Sequence, residues 1–101
     1  MAQFVKVATL AEVPSGGARV FEVSGRSLSL YNVGGSIHAT DTACPHRGGS
    51  LGEGELKGKI ITCPWHGFQY DVATGACLTN GALRVACLPV RLEGDSILVE
   101  V

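Results

Sequence analysis

At 101 residues the chain has room for one domain and one modest core. Hydrophobic residues make up 46% of it and charged residues 17%, which excludes intrinsic disorder, and the formal net charge of −1 argues against nucleic acid, whose phosphates call for a basic footprint. No apolar run approaches the roughly 20 residues of a membrane span, and Met1 to Lys6 lacks the charged-then-apolar layout of a secretory leader; the expectation is a protein of the cytoplasm without membrane contact.

Fourteen glycines, about twice the ordinary usage, point to many tight turns and so to an all-β fold. In chain order, Phe4-Val5-Lys6-Val7 alternates as a strand and ends in the turn-rich Val13-Pro14-Ser15-Gly16-Gly17. Ala18 to Val23 and Arg26 to Val33 flank Ser24-Gly25, a two-residue hairpin signal. The period-two run Ser27-Leu28-Ser29-Leu30 predicts one buried face and one wet face. Gly34-Gly35 turns the chain into Ser36 to Ala39. From Thr42 to Thr79 glycines are dense and apolar runs short, with a strand over Lys59 to Thr62, another over Gly67 to Asp71 and a turn at Thr74-Gly75. Regular strand character returns over Leu83 to Leu92, Glu93-Gly94-Asp95 turns, and Ser96 to Val101 reads as the last strand. No segment patterns as an amphipathic helix of ten residues, and there is no repeat or linker.

The chemistry sits in the glycine-dense stretch. Cys44-Pro45-His46-Arg47-Gly48 and Cys63-Pro64-Trp65-His66-Gly67 each supply one thiol and one imidazole, as C-x-H and C-x-x-H, with sixteen residues between His46 and Cys63. Cys44, His46, Cys63 and His66 are four soft-to-borderline donors, enough for a tetrahedral metal or for a two-iron cluster. Each thiol is followed by proline, which fixes φ and stiffens the loop. Each half closes on a glycine, which lets the backbone turn tightly beside a ligand. From the donors alone a structural zinc site is the alternative, although zinc fingers favour C-x₂₋₄-C and H-x₃₋₅-H pairings.

Together the two segments resemble the signature of the Rieske [2Fe–2S] family, in which two Cys hold one iron and two His the other. The resemblance implies one [2Fe–2S] cluster held by Cys44, His46, Cys63 and His66. It also implies a basal antiparallel β-sandwich, from residues 1–41 and 80–101, with a cluster-binding subdomain, 42–79, inserted between its halves. In the oxidised cluster two ferric ions, two sulfides, two thiolates and two neutral imidazoles cancel in formal charge. An electron therefore enters against less repulsion than in an all-thiolate cluster, and Rieske potentials of about −150 to +300 mV lie above the roughly −400 mV of plant-type ferredoxins.

High-potential members of the family carry an extra Cys in each ligand loop and a Ser two residues after the second His. Here those positions are Gly49, Trp65 and Phe68, while a Tyr that bonds a cysteine sulfur in those members is matched by Tyr70. The resemblance is thus to soluble low-potential Rieske ferredoxins, one-electron carriers between a flavin-dependent reductase and a terminal oxygenase, not enzymes by themselves. The third loop near the cluster, often proline-bearing in the family, is here Thr79-Asn80-Gly81-Ala82. Competing readings are a protein similar to the small subunit of nitrite reductases, which commonly lacks the ligands, and a zinc-stabilised binding module.

Other residues have plainer expectations. Cys77 and Cys87 lie among Ala, Leu and Val and read as small buried hydrophobes, with a mutual disulfide or a redox role as the alternatives. His38 reads as a partly exposed strand residue, Trp65 as packing beneath the ligand loops, and Phe68 as core. Glu53 and Glu55 read as solvated loop residues, with reductase docking as the alternative; Arg47 is either exposed or steers an acidic partner.

Overall fold

The computed structural model describes residues 3–23, 25–42, 50–64 and 67–100. Its strands, in chain order, are β1 (Phe4–Thr9), β2 (Ala18–Val23), β3 (Arg26–Val33), β4 (Ser36–Asp41), β5 (Glu55–Lys57), β6 (Ile60–Thr62), β7 (Gln69–Asp71), β8 (Cys87–Leu88), β9 (Val90–Glu93) and β10 (Ser96–Glu100). They form three antiparallel sheets, ordered β1-β10-β9, β2-β3-β4-β8 and β5-β6-β7. The all-β expectation holds.

The turns sit where their chemistry allows. Gly34 and Gly35 both adopt positive φ, 59° and 100°, between the paired residues Val33 and Ser36. Two successive positive φ values are what a tight hairpin asks for and what two glycines supply at little strain. The Val23–Arg26 pair closes the preceding hairpin as its sequence predicts, with Gly25 at φ 78° and Ser24 outside the described residues.

Two of the sheets face each other to make the basal sandwich. Ala8 from β1 and Ile97 and Val99 from β10 meet Leu28 and Leu30 from β3 and Ile37 and Ala39 from β4, together with Val13. Successive strand residues point to opposite faces, so these alternate positions turn inward together.

The opposite face of β3 departs from the expected wet face. Ser29 and Tyr31 are fully buried, and burial is continuous from Leu28 to Asn32. The cover is a short 3₁₀ turn, Leu51–Glu53, that packs on β2 and β3. A Cβ on Gly52 would lie 2.7 Å from the Ser29 hydroxyl and 2.6 Å from a Val20 methyl, so glycine is what lets this turn approach. A period-two pattern with small polar residues cannot reveal a neighbour that closes over them from elsewhere in the chain.

A second core lies beyond that face: Tyr31, Leu51, Ile61, Cys63, Tyr70, Val72, Cys77 and Val85. The central four-stranded sheet therefore separates two apolar cores, sharing β3 between them. The expected continuous strand over Leu83 to Leu92 is replaced by two short pieces, β8 and β9, separated by Pro89. Proline lacks the N–H that a ladder needs. Ahead of β8, residues 83–85 turn aside instead: Leu83 and Val85 pack into the second core, and Val85 N–H donates to the Gly75 carbonyl at 2.9 Å. Among the described residues, no helix is long and apolar enough to cross a membrane.

Candidate metal centre

Cys63 stands directly after β6, 1% exposed, in a core with Leu51, Ile61, Tyr70 and Val72. The segment it opens is closed at its base in two ways. Thr62 pairs with Gln69, and the Cys63 N–H donates to the Phe68 carbonyl at 2.7 Å. Gly67, at φ 70°, supplies the left-handed residue that brings the chain back. The segment that carries Cys44 and His46 is pinched at its base as well: Leu51 N–H donates to the Thr42 carbonyl at 2.9 Å, and the Thr42 hydroxyl bonds that of Ser29 at 3.0 Å. Leu51 and Cys63 share one core, and a Cβ on Gly54 would collide with the Thr62 carbonyl. The described bases of the two segments are thereby packed together.

Cys44, His46 and His66 lie outside the described residues, as do Arg47 and Trp65. Among the described residues, no group of three or more His, Cys, Asp or Glu is placed to hold a metal. The fit to an iron–sulfur cluster rests on Cys63: its thiol is withdrawn from water in a turn tied at both ends, which suits a thiolate ligand.

A third segment leans on the second. Tyr70 bridges Cys77, Leu78 N–H donates to the Gln69 carbonyl at 2.8 Å, and the Thr79 hydroxyl accepts from the Gln69 N–H at 3.0 Å. The turn is fixed from within by Asn80. Its side-chain oxygen accepts from Ala82 N–H (3.0 Å), its carbonyl from Leu83 N–H (3.0 Å), and its own N–H donates to the Cys77 sulfur (3.3 Å). An Asn that closes a local turn through its side chain does the work of a conformationally restricted residue. Its sequence signal is only that Asn-Gly favours turns.

Beneath, Asp71 organises the 71–76 turn. Its carboxylate accepts from Ala73 N–H (2.8 Å) and Thr74 N–H (3.3 Å) and pairs with Lys59 at 3.3 Å. Burial alone pushes this carboxyl up; the Ala73 N–H, the Lys59 ammonium and the Thr74 N–H overcome it and hold it below the ordinary carboxylate value. Gly75, at φ 82°, lies so close to Val85 that a Cβ would strike the Val85 carbonyl.

Cys77 is buried as expected, but Cys87 is exposed, and both are free thiols, so neither the buried-hydrophobe reading of Cys87 nor the mutual disulfide holds. Cys87 lies on β8 at an edge of the four-stranded sheet, where its thiol donates to the Val72 carbonyl at 3.7 Å. Desolvation by surrounding protein pushes this thiol up, against the pull of Arg84. His38 is half-buried on β4 as its sequence suggests, Phe68 is half-buried against the second core, and Tyr70 is fully buried. Glu53 and Glu55 are exposed, the latter 3.4 Å from Lys57. Tyr31 lies in the second core with its hydroxyl 2.8 Å from that of Thr40, and burial pushes its pKa up to about 12.

The model of the Rieske [2Fe–2S] domain matches residues 3–89. Among relatives, the ferredoxin component of a naphthalene 1,2-dioxygenase system from Pseudomonas aeruginosa is 33% identical over 97% of this chain and 95% of its own. The ferredoxin component of a p-cumate 2,3-dioxygenase system from Pseudomonas putida is 40% identical over 82% of this chain and 72% of its own. Among solved structures, the ferredoxin of carbazole 1,9a-dioxygenase from Nocardioides aromaticivorans superposes with a TM-score of 0.88 at 32% identity, covering 96% of each chain. A nitrite reductase small subunit from Mycobacterium tuberculosis superposes with a TM-score of 0.89 at 18% identity, over all of this chain and 96% of its own, which speaks to the fold alone. With the family match running through both Cys- and His-bearing segments, this chain belongs to the Rieske [2Fe–2S] family.

Proposed function

We propose that this protein is the ferredoxin of a multicomponent aromatic-ring oxygenase system, taking single electrons from a flavin-dependent reductase and passing them to a terminal oxygenase in the cytoplasm. The observation that carries the reading is the full C-x-H and C-x-x-H donor set within a family match, in a chain similar over nearly its whole length to ferredoxin components of dioxygenase systems. A structure described as the complex of reduced oxygenase and oxidised ferredoxin of carbazole 1,9a-dioxygenase contains a chain on which this one superposes with a TM-score of 0.89 at 29% identity. That supports a terminal oxygenase as the electron acceptor here.

The ligands are Cys44 and Cys63 on one iron and His46 and His66 on the other. When bound, the cluster supplies one reversible electron at a potential set by its charge and surroundings. The protein's part is to hold it, limit water and present it to partners. Cys63 does so from a buried, tied turn. We further propose that the basal part comprises residues 1–41 and 80–101 and the cluster-binding part 42–79, in one domain, with Leu83 and Val85 reaching from the basal part into the core of the cluster-binding part.

The test is ligand replacement with spectroscopic readout. The purified protein should contain equal iron and acid-labile sulfide and show a Rieske-type electron paramagnetic resonance signal after reduction. His46→Ala and His66→Ala should each abolish that signal. A His66→Ala protein that kept full iron and an unchanged signal would sink the assignment.

A further inference from the structure

The peptide group joining Phe68 to Gln69 is bonded on both sides. Its carbonyl accepts from the Cys63 N–H at 2.7 Å, and its N–H donates to the Thr79 hydroxyl at 3.0 Å. A peptide group is planar and stiff, so tilting one end tilts the other. Whatever holds the N–H of Gln69 therefore also aims the carbonyl that fixes Cys63. We propose that Thr79 is a positioning residue for the cluster. By accepting from the Gln69 N–H, its hydroxyl holds the Phe68–Gln69 peptide plane, and so the Cys63 turn, in the geometry that binds iron. This rests on the reading of Cys63 as a ligand.

The neighbours of Thr79 support the role. The hydroxyl has to be held still to hold anything else, and the residue after it, Asn80, is locked by three hydrogen bonds, accepted from Ala82 N–H and Leu83 N–H and donated to the Cys77 sulfur. On the other side, Leu78 N–H is tied to the Gln69 carbonyl at 2.8 Å. Residue 69 is therefore clasped from both its N–H and its carbonyl by consecutive residues, 79 and 78. Successive hydrogen bonds through one amide also polarise one another, so the two bonds of the Phe68–Gln69 group strengthen together. None of this is encoded by proline; it is carried by a hydroxyl, an amide side chain and a thiol.

The sign of the electronic effect follows. With Thr79 unable to accept, the peptide plane relaxes and the Cys63 N–H loosens from its carbonyl. That N–H or an entering water can then donate toward the cluster sulfurs. Reduction adds negative charge, and donors or water stabilise the reduced form more than the oxidised one. The potential should rise.

The experiment compares Thr79→Val, which keeps the shape and removes the acceptor, with Thr79→Ser, which keeps the hydroxyl, in the cluster-loaded protein. Ile97→Val, in the basal core, serves as a matched loss of global stability. Thr79→Val should raise the midpoint potential in protein-film voltammetry and speed iron release to a chelator about fivefold, the worth of one neutral hydrogen bond. Thr79→Ser should match the wild type in both, and Ile97→Val should leave the potential in place. Equal behaviour of the Val and Ser variants would overturn the proposal. So would a Thr79→Val protein with unchanged potential, or one whose iron release follows global stability as Ile97→Val does. A wild-type protein that binds no iron would instead overturn the reading of Cys63 on which the proposal stands.

Discussion

Phe68 stands five residues after Cys63, the described one of the four proposed cluster ligands. Its backbone carbonyl anchors Cys63, while its ring is half-buried against the core that holds the Cys63 thiol. The backbone role is independent of the side chain, and a phenyl ring has no hydroxyl to donate, whereas a serine at this position has one. Phe68→Ser should therefore keep the turn and raise the midpoint potential by about 40 mV, the equivalent of a neutral hydrogen bond worth about 1 kcal/mol in a one-electron couple. Voltammetry checks the shift, and a crystal structure of the variant has to place the hydroxyl on sulfur, because water in the vacated space would act in the same direction. An unmoved potential with the hydroxyl in place would remove the argument.

At the scale of elements, the turn after β7 shows how one carboxylate shapes a segment. The negative charge of Asp71 is favoured in the fold by two backbone N–H groups and Lys59. Its folded pKa lies below the unfolded one, so the stability this provides is complete above about pH 4 and is lost as pH falls through the folded value. Asp71→Asn keeps an oxygen for the Ala73 and Thr74 amides but no charge. The melting-temperature gap between wild type and Asp71→Asn should thus narrow as the pH drops below about 4, and a constant gap would remove Asp71 from the acid response. The hairpins were legible in the chain because Gly34-Gly35 and Glu93-Gly94-Asp95 are local signals. The donor spacing was legible because C-x-H and C-x-x-H are local too. The covered outer face of β3 was not, nor the diversion of Leu83 to Val85, nor the exposure of Cys87. Each depends on a partner distant in sequence: the 51–53 turn, Gly75, or the place of β8 at a sheet edge. Periodicity reports what a strand does to itself, not what arrives to cover it.

For the whole molecule, two cores on either side of one sheet imply unequal dependence on the metal. The core around Cys63 is completed by residues from the 42–79 stretch, whereas Leu28, Leu30, Ile97 and Val99 belong to strands that pair without it. Chelating the iron should strip hydrogen-exchange protection from β5, β6 and β7 while β1, β3 and β10 stay protected; simultaneous loss everywhere would show a single cooperative unit. The chain geometry carries one more implication. Asp41 N–H donates to the Ala86 carbonyl at 3.0 Å, continuing the Thr40–Cys87 pairing, so the chain leaves the basal sheet and re-enters it at the same point. A two-residue reverse turn would span that gap, so the cluster-binding part, taken out together with the 80–85 connection, could be inserted or removed by a genetic exchange without rethreading any strand. The remainder would be a minimal sandwich whose newly bared Tyr31 calls for a polar replacement, and whose small size leaves little stability to spare.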